Sequence, residues 1–95
     1  MMQPLSPDST LARSTAPLSA DLHDETVLMS LESGNYYGLE GTARRIWELL
    51  ATPTTLSDLS DQLAKEYRVT REQCAEEILP FINEMRREGL LVADT

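Results

Sequence analysis

A chain of 95 residues, 41% apolar and 25% charged, can build one small domain with one modest core, which leaves little room for a deep enzymatic pocket and favours a binding module. Sixteen acids against eight bases give a formal charge of −8, which sets the surface against phosphate backbones and anionic membranes. One cysteine (Cys74) and one histidine (His23) exclude an internal disulfide and a four-ligand zinc site, and point to a reducing, cytoplasmic location.

No run approaches the roughly 18 apolar residues of a membrane span, and the N-terminus lacks the basic start and apolar stretch of a secretory signal. Residues 1–14 carry Pro4, Pro7, Ser6, Ser9, Thr10 and Ser14 with few large apolar groups. Such a segment does not offset its ordering entropy, so a flexible tail is expected, with Leu5 and Leu11 available to dock. Residues 15–95 are expected to form the domain.

Residues from about 17 to 39 read as three strands. Leu18, Ala20 and Leu22 alternate with Ser19 and Asp21; after the polar break His23-Asp24-Glu25, Val27, Met29 and Leu31 alternate with Leu28, Ser30 and Glu32. Ser33-Gly34-Asn35 tolerates the positive φ of a tight hairpin and leads into the short strand Tyr36-Tyr37-Gly38-Leu39. Residues from about 42 to 89 read as three helices. Ala43, Ile46, Trp47 and Leu50 mark one buried face, closed by Pro53. Thr55 with Asp58, then Thr70 with Gln73, are capping pairs for the second and third helices. Their stripes are Leu56, Leu59, Leu63 and Tyr67, then Cys74, Ile78, Phe81, Ile82 and Met85. Pro80 falls on the polar face of the third helix, where a kink is expected. Gly89 stops that helix, and Leu90-Leu91-Val92 fold back as a hydrophobic tail.

A sheet followed by three helices suggests a winged-helix layout, whose obvious use is DNA binding. The third helix opposes this, with Glu72, Glu76, Glu77, Glu84 and Glu88 against Arg71, Arg86 and Arg87. His23 stands in a polar turn without converging partners, and Cys74 lies on an apolar face as a small hydrophobe; neither supports catalysis, and no cofactor or metal is expected. Trp47 belongs to the core stripe. The third strand carries no proline, and its nearest charges, Glu32 and Glu40, lie outside its ends. Such a bare edge fits strand addition by a peptide, or cover by a neighbouring element or a second subunit; the residues alone leave both open.

Val27-Leu28-Met29-Ser30-Leu31, Ser33-Gly34-Asn35-Tyr36-Tyr37-Gly38-Leu39, Thr42-Ala43 and Ile46-Trp47-Glu48-Leu49-Leu50 resemble the PqqD-like proteins, the precursor-peptide recognition elements of ribosomally made, modified peptide pathways. Leu63, Tyr67-Arg68-Val69, Phe81 and Gly89-Leu90-Leu91 extend the likeness over residues 18–92. Glu40 replaces the family's frequent Asn, which shifts the expected helix cap to Gly41 or Thr42. The resemblance implies an α+β fold, a three-stranded antiparallel sheet packed on a three-helix winged-helix-like bundle. It implies a non-catalytic adaptor that captures a leader peptide as a fourth strand between the third strand and third helix. The partners implied are that peptide and a modifying enzyme such as a protease, cyclase or radical enzyme, with no nucleic acid or membrane; the product class, lasso peptide or quinone cofactor among others, stays open. A monomer or weak dimer is expected.

On that reading, Asn35, Tyr36, Tyr37, Gly38 and Leu39 supply the ladder, with Tyr37 and Leu39 facing the core. Ala75, Leu79, Ile82 and Arg86 form a row on the third helix, with Leu79 as an apolar pocket wall. Arg71 and Arg86, near its ends, are placed to meet acidic leader residues, while the other carboxylates favour a leader with some basic ones. The competing readings are a winged-helix transcriptional regulator and a structural subunit whose edge strand dimerises.

Overall fold

Period-two patterning and turn residues build a meander in the first half of the chain. In the computed structural model, which describes residues 3–14, 18–31 and 33–94, β2 (Leu18–Leu22), β3 (Glu25–Met29) and β4 (Tyr36–Leu39) pair antiparallel in chain order. The expected strand start at about residue 17, the domain start at 15, Glu32 and both chain ends lie outside the described residues. His23 turns β2 into β3 with φ 49°, and Gly34 relieves the next turn with φ 76°. The register sets Leu28 opposite Tyr37 and Thr26 opposite Leu39. Thr26, Leu28, Ser30 and Leu39 are buried on one face, with Tyr37 packed beside them. Val27 and Met29 lie on the other face, where Leu18 and Tyr36 stand exposed.

The segment expected as a flexible tail holds a strand. β1 (Thr10–Arg13) lies between β5 (Thr54–Thr55) and β6 (Leu91–Asp94) in a second antiparallel sheet. Leu11 is 0% exposed. The ordering cost is offset by two partners that are remote in sequence, so local composition gives no sign of it. Side chains lock the strand's end: Arg13 Nε donates to the Trp47 carbonyl at 3.0 Å, its guanidinium stacks 4.3 Å from the Trp47 ring centre, and Ser14 Oγ donates to the Gly89 carbonyl at 2.6 Å. The expected hydrophobic tail is β6, with Leu90 and Leu91 buried and Val92 exposed.

α1 (Gly41–Leu49), α2 (Leu56–Tyr67) and α3 (Arg71–Arg87) follow the expected stripes, with Ile46, Trp47, Leu50, Leu59, Leu63, Cys74, Ile78, Ile82 and Met85 in one core. Thr55 and Thr70 accept from the Asp58 and Gln73 amides at 3.0 and 3.1 Å, closing the N-termini of α2 and α3. The start of α1 stays at Glu40, whose side chain caps nothing, instead of moving to Gly41 or Thr42. Tyr67 is 47% exposed rather than core, because α2 ends beside it in a left-handed Arg68. α3 runs through the exposed Pro80 without interruption. It ends in a Schellman motif: Gly89, at φ 73°, donates to the Arg86 carbonyl, and Leu90 donates to that of Met85.

Two outcomes check this architecture. Leu11→Ala should lower unfolding free energy in urea by about 2–4 kcal/mol, the cost of a buried leucine, whereas a free tail would show no change. On the surface, Arg45 Nη2 lies 2.8 Å from Glu66 Oε2. Hydrogen bonds from Arg45 and then Gln62 hold the Glu66 carboxyl down to about 2, against an ordinary 4.5. The folded state therefore binds that proton more weakly than the unfolded chain. The stabilisation is full above about pH 4.5 and is lost as pH falls towards about 2. Glu66→Gln should melt below the parent near neutrality, with the gap closing across that window in a pH series of thermal melts.

Candidate functional site

β4 has one strand neighbour among the described residues, β3, so its other edge is open. Ser30 N–H donates to the Asn35 carbonyl at 2.9 Å, which sets the phase of the ladder. Residues 37 and 39 then bond inward to β3, and the N–H and C=O groups of Tyr36 and Gly38 point to the open edge. The Tyr36 side chain, 72% exposed, lies on the outer face with Leu18, Val27 and Met29; it offers the edge its backbone alone. Leu39, with Tyr37, faces inward as part of the floor.

Glu88, at the end of α3, ties the β3–β4 hairpin down. Its Oε1 accepts from the Tyr37 hydroxyl, from Asn35 Nδ2 at 3.3 Å and from Ser33 Oγ at 3.4 Å, while its carbonyl accepts from Ser30 Oγ at 2.7 Å. Towards the start of α3, a cavity of about 340 Å³ opens among Thr42, Tyr67, Val69, Cys74, Glu77 and Ile78. On one side of α3, therefore, Glu88 meets the hairpin at the helix end and Glu77 lines this cavity towards its start. Burial, and then Glu77, raise the pKa of the Cys74 thiol, so it stays protonated near neutrality and serves as apolar lining rather than as a nucleophile. Beyond the other end of β4, the Glu25 carboxyl hydrogen-bonds Glu40, which raises its pKa. Glu25 occupies space left by Gly38, where a Cβ would lie 3.0 Å from Glu25 Oε1.

At about 100° per residue, α3 has two flanks beside its buried stripe. Glu77, Phe81, Glu84 and Glu88 lie on one flank. Arg71, Ala75, Leu79 and Arg86 lie on the opposite one. There Arg71 and Ala75 border a cavity of about 190 Å³ with Pro7, Leu56, Ser57, Ser60 and Glu72, and Arg86 Nη2 donates to the Gln3 carbonyl at 3.0 Å. Arg71 also pairs with Asp61 at 3.8 Å and Glu72 at 3.6 Å. The chain's own N-terminal segment therefore covers this flank. Leu79 is half-buried against the core, and Ile82 is 0% exposed beneath it.

Of the ten residues expected to form the site, Tyr36 to Leu39 make up β4, with Asn35 at its start. Arg71, Ala75, Leu79 and Arg86 lie on the flank of α3 opposite Glu77 and Glu88, and Ile82 belongs to the core. Thr42 and Glu77, outside that set, line the cavity, and Glu88 holds the hairpin. Periodicity identifies both flanks equally, and only the packing of residues 3–9 and of the hairpin tells which is free. One signal was legible: around the helix, Glu77, Glu84 and Glu88 separate from Arg71 and Arg86. Among the described residues, no helix is long and apolar enough to cross a membrane.

The family model for coenzyme PQQ synthesis protein D (PqqD) matches residues 25–91. A solved structure described as TbiB1 in complex with the TbiA(beta) leader peptide is similar at 32% identity and a TM-score of 0.76, over 84% of this chain and 93% of that one. No curated protein matches the sequence significantly.

If Glu88 holds the hairpin, Glu88→Ala should speed amide exchange across residues 33–37. It should cost about 1 kcal/mol in urea, the value of charge-assisted hydrogen bonds reduced for partial exposure. Arg86→Ala, on the other flank, should leave hairpin exchange unchanged.

Proposed function

The chain belongs to the PqqD family, and on that premise we propose that it binds the leader segment of a ribosomally made precursor peptide as a strand added to β4, and presents the rest of that peptide to a modifying enzyme. The observation that carries this reading is the open polar edge of Tyr36 and Gly38; with Glu88 holding the hairpin to one end of α3 and a cavity lined by Glu77 towards the other, the space along that flank is taken as the peptide's groove. The likeness to TbiB1, a protein solved with a leader peptide, supports it. Backbone bonds to the edge supply affinity, and the cavity at Thr42, Val69, Cys74 and Ile78 takes an apolar anchor. The chain acts as an adaptor without chemistry of its own; the modifying partner is a protease, cyclase or radical enzyme, and the work takes place in the cytoplasm.

The test is titration of the full chain with labelled synthetic segments of the short reading frames beside its gene, followed by amide exchange. Saturable binding should protect the Tyr36 and Gly38 amides. Gly38→Pro removes one edge N–H at a position where an edge strand tolerates proline, and the added carbons displace only the flexible end of the Glu25 side chain. It should melt within a few degrees of the parent yet bind about tenfold more weakly, the effect of one lost ladder bond with its partner carbonyl unpaired. Binding that leaves both amides unprotected would place the peptide elsewhere. Protection that rises with protein concentration alone would assign the edge to a second copy.

A further inference from the structure

We propose that the groove selects its peptide by charge: Glu77 and Glu84 favour a leader whose inward-facing residues include two lysines or arginines, and they reject acidic ones. This rests on the strand-addition reading above and specifies the substrate class of the same site. The site itself is the open edge and the cavity; the glutamates decide what fits there.

Glu77 and Glu84 are exposed on the groove flank of α3, and neither forms an ion pair among the described residues. Glu88 is already held by Tyr37, Asn35 and Ser33, so selection falls to the other two. The bases of α3 do not offset them. Arg71 and Arg86 are engaged on the opposite flank, and Arg87 points outward by the helical period. Arg68 lies between the cavity residues Tyr67 and Val69 but is not part of the lining. An incoming strand would thus meet uncompensated negative charge on its α3 side.

The spacing sets the pattern. Seven helical residues separate Glu77 from Glu84 by about 10 Å. On an added strand, alternate residues face α3 about 7 Å apart, so two cations two to four positions apart reach both carboxylates. Phe81 lies between the two glutamates and is half-buried against the core, which suits an apolar residue or a lysine stem between the charges.

The experiment pans a randomised dodecapeptide display library on the full chain at low ionic strength, and in parallel on Glu77→Lys/Glu84→Lys. The parent should recover peptides with paired Lys or Arg at that spacing, and their binding should weaken as salt rises. A synthetic peptide from that pool should bind the double variant at least about tenfold more weakly, while circular dichroism melts show both proteins folded. Recovered peptides that lose binding to Gly38→Pro but are neutral or acidic, or that bind the double variant equally well, overturn the charge proposal and leave strand addition standing. Peptides that bind Gly38→Pro as well as the parent, or the recovery of none, overturn the strand-addition reading and the charge proposal with it.

Discussion

The Glu88 carboxylate determines the working geometry of this domain. It sits at the end of α3, where the Schellman turn through Gly89 fixes its direction, and it gathers donors from Ser33, Asn35 and Tyr37 onto one oxygen. Its own carbonyl takes the Ser30 hydroxyl, buried at the turn. The hairpin is therefore tied to the end of the helix by polar contacts. Past that attachment β4 keeps its outer edge, with the backbone groups of Tyr36 and Gly38, unpaired among the described strands.

A second constraint acts from the other side of α3. The N-terminal segment runs past Arg86 at Gln3 and past Arg71 at Pro7, then enters the small sheet as β1. It covers one flank of the helix and leaves the other free. The charges follow this division. Arg71 and Arg86 lie where the chain's own carbonyls and carboxylates meet them, and Glu77, Glu84 and Glu88 lie on the other flank.

Expectation and structure part company in informative places. Pattern and caps placed the meander and the three helices, because alternation in β3 and the stripes of Leu59, Leu63, Ile78 and Ile82 are local consequences of which face meets the core. Thr10–Arg13 was legible only as polar and proline-flanked, since its partners at Thr54–Thr55 and Leu91–Asp94 lie about 40 and 80 residues away and leave no local signal. Leu79 is expected as a pocket wall because it is apolar at the edge of a stripe, and it packs half-buried against the core. A helical stripe has two edges, and its period is symmetric between them.

The residues by themselves determined the elements, the bare third strand, the acidic balance and the family pattern, since each depends on neighbours within a turn or a pleat. Tertiary structure alone decided that Thr10–Arg13 is a strand, that Arg71, Ala75 and Arg86 meet the segment before it, and that Glu77 lines a cavity with Thr42 and Val69 while Glu88 holds the hairpin. The physical reason is rotation about a helix axis: sequence specifies which residues share a face, but which neighbour that face meets depends on segments that join only when the chain closes on itself.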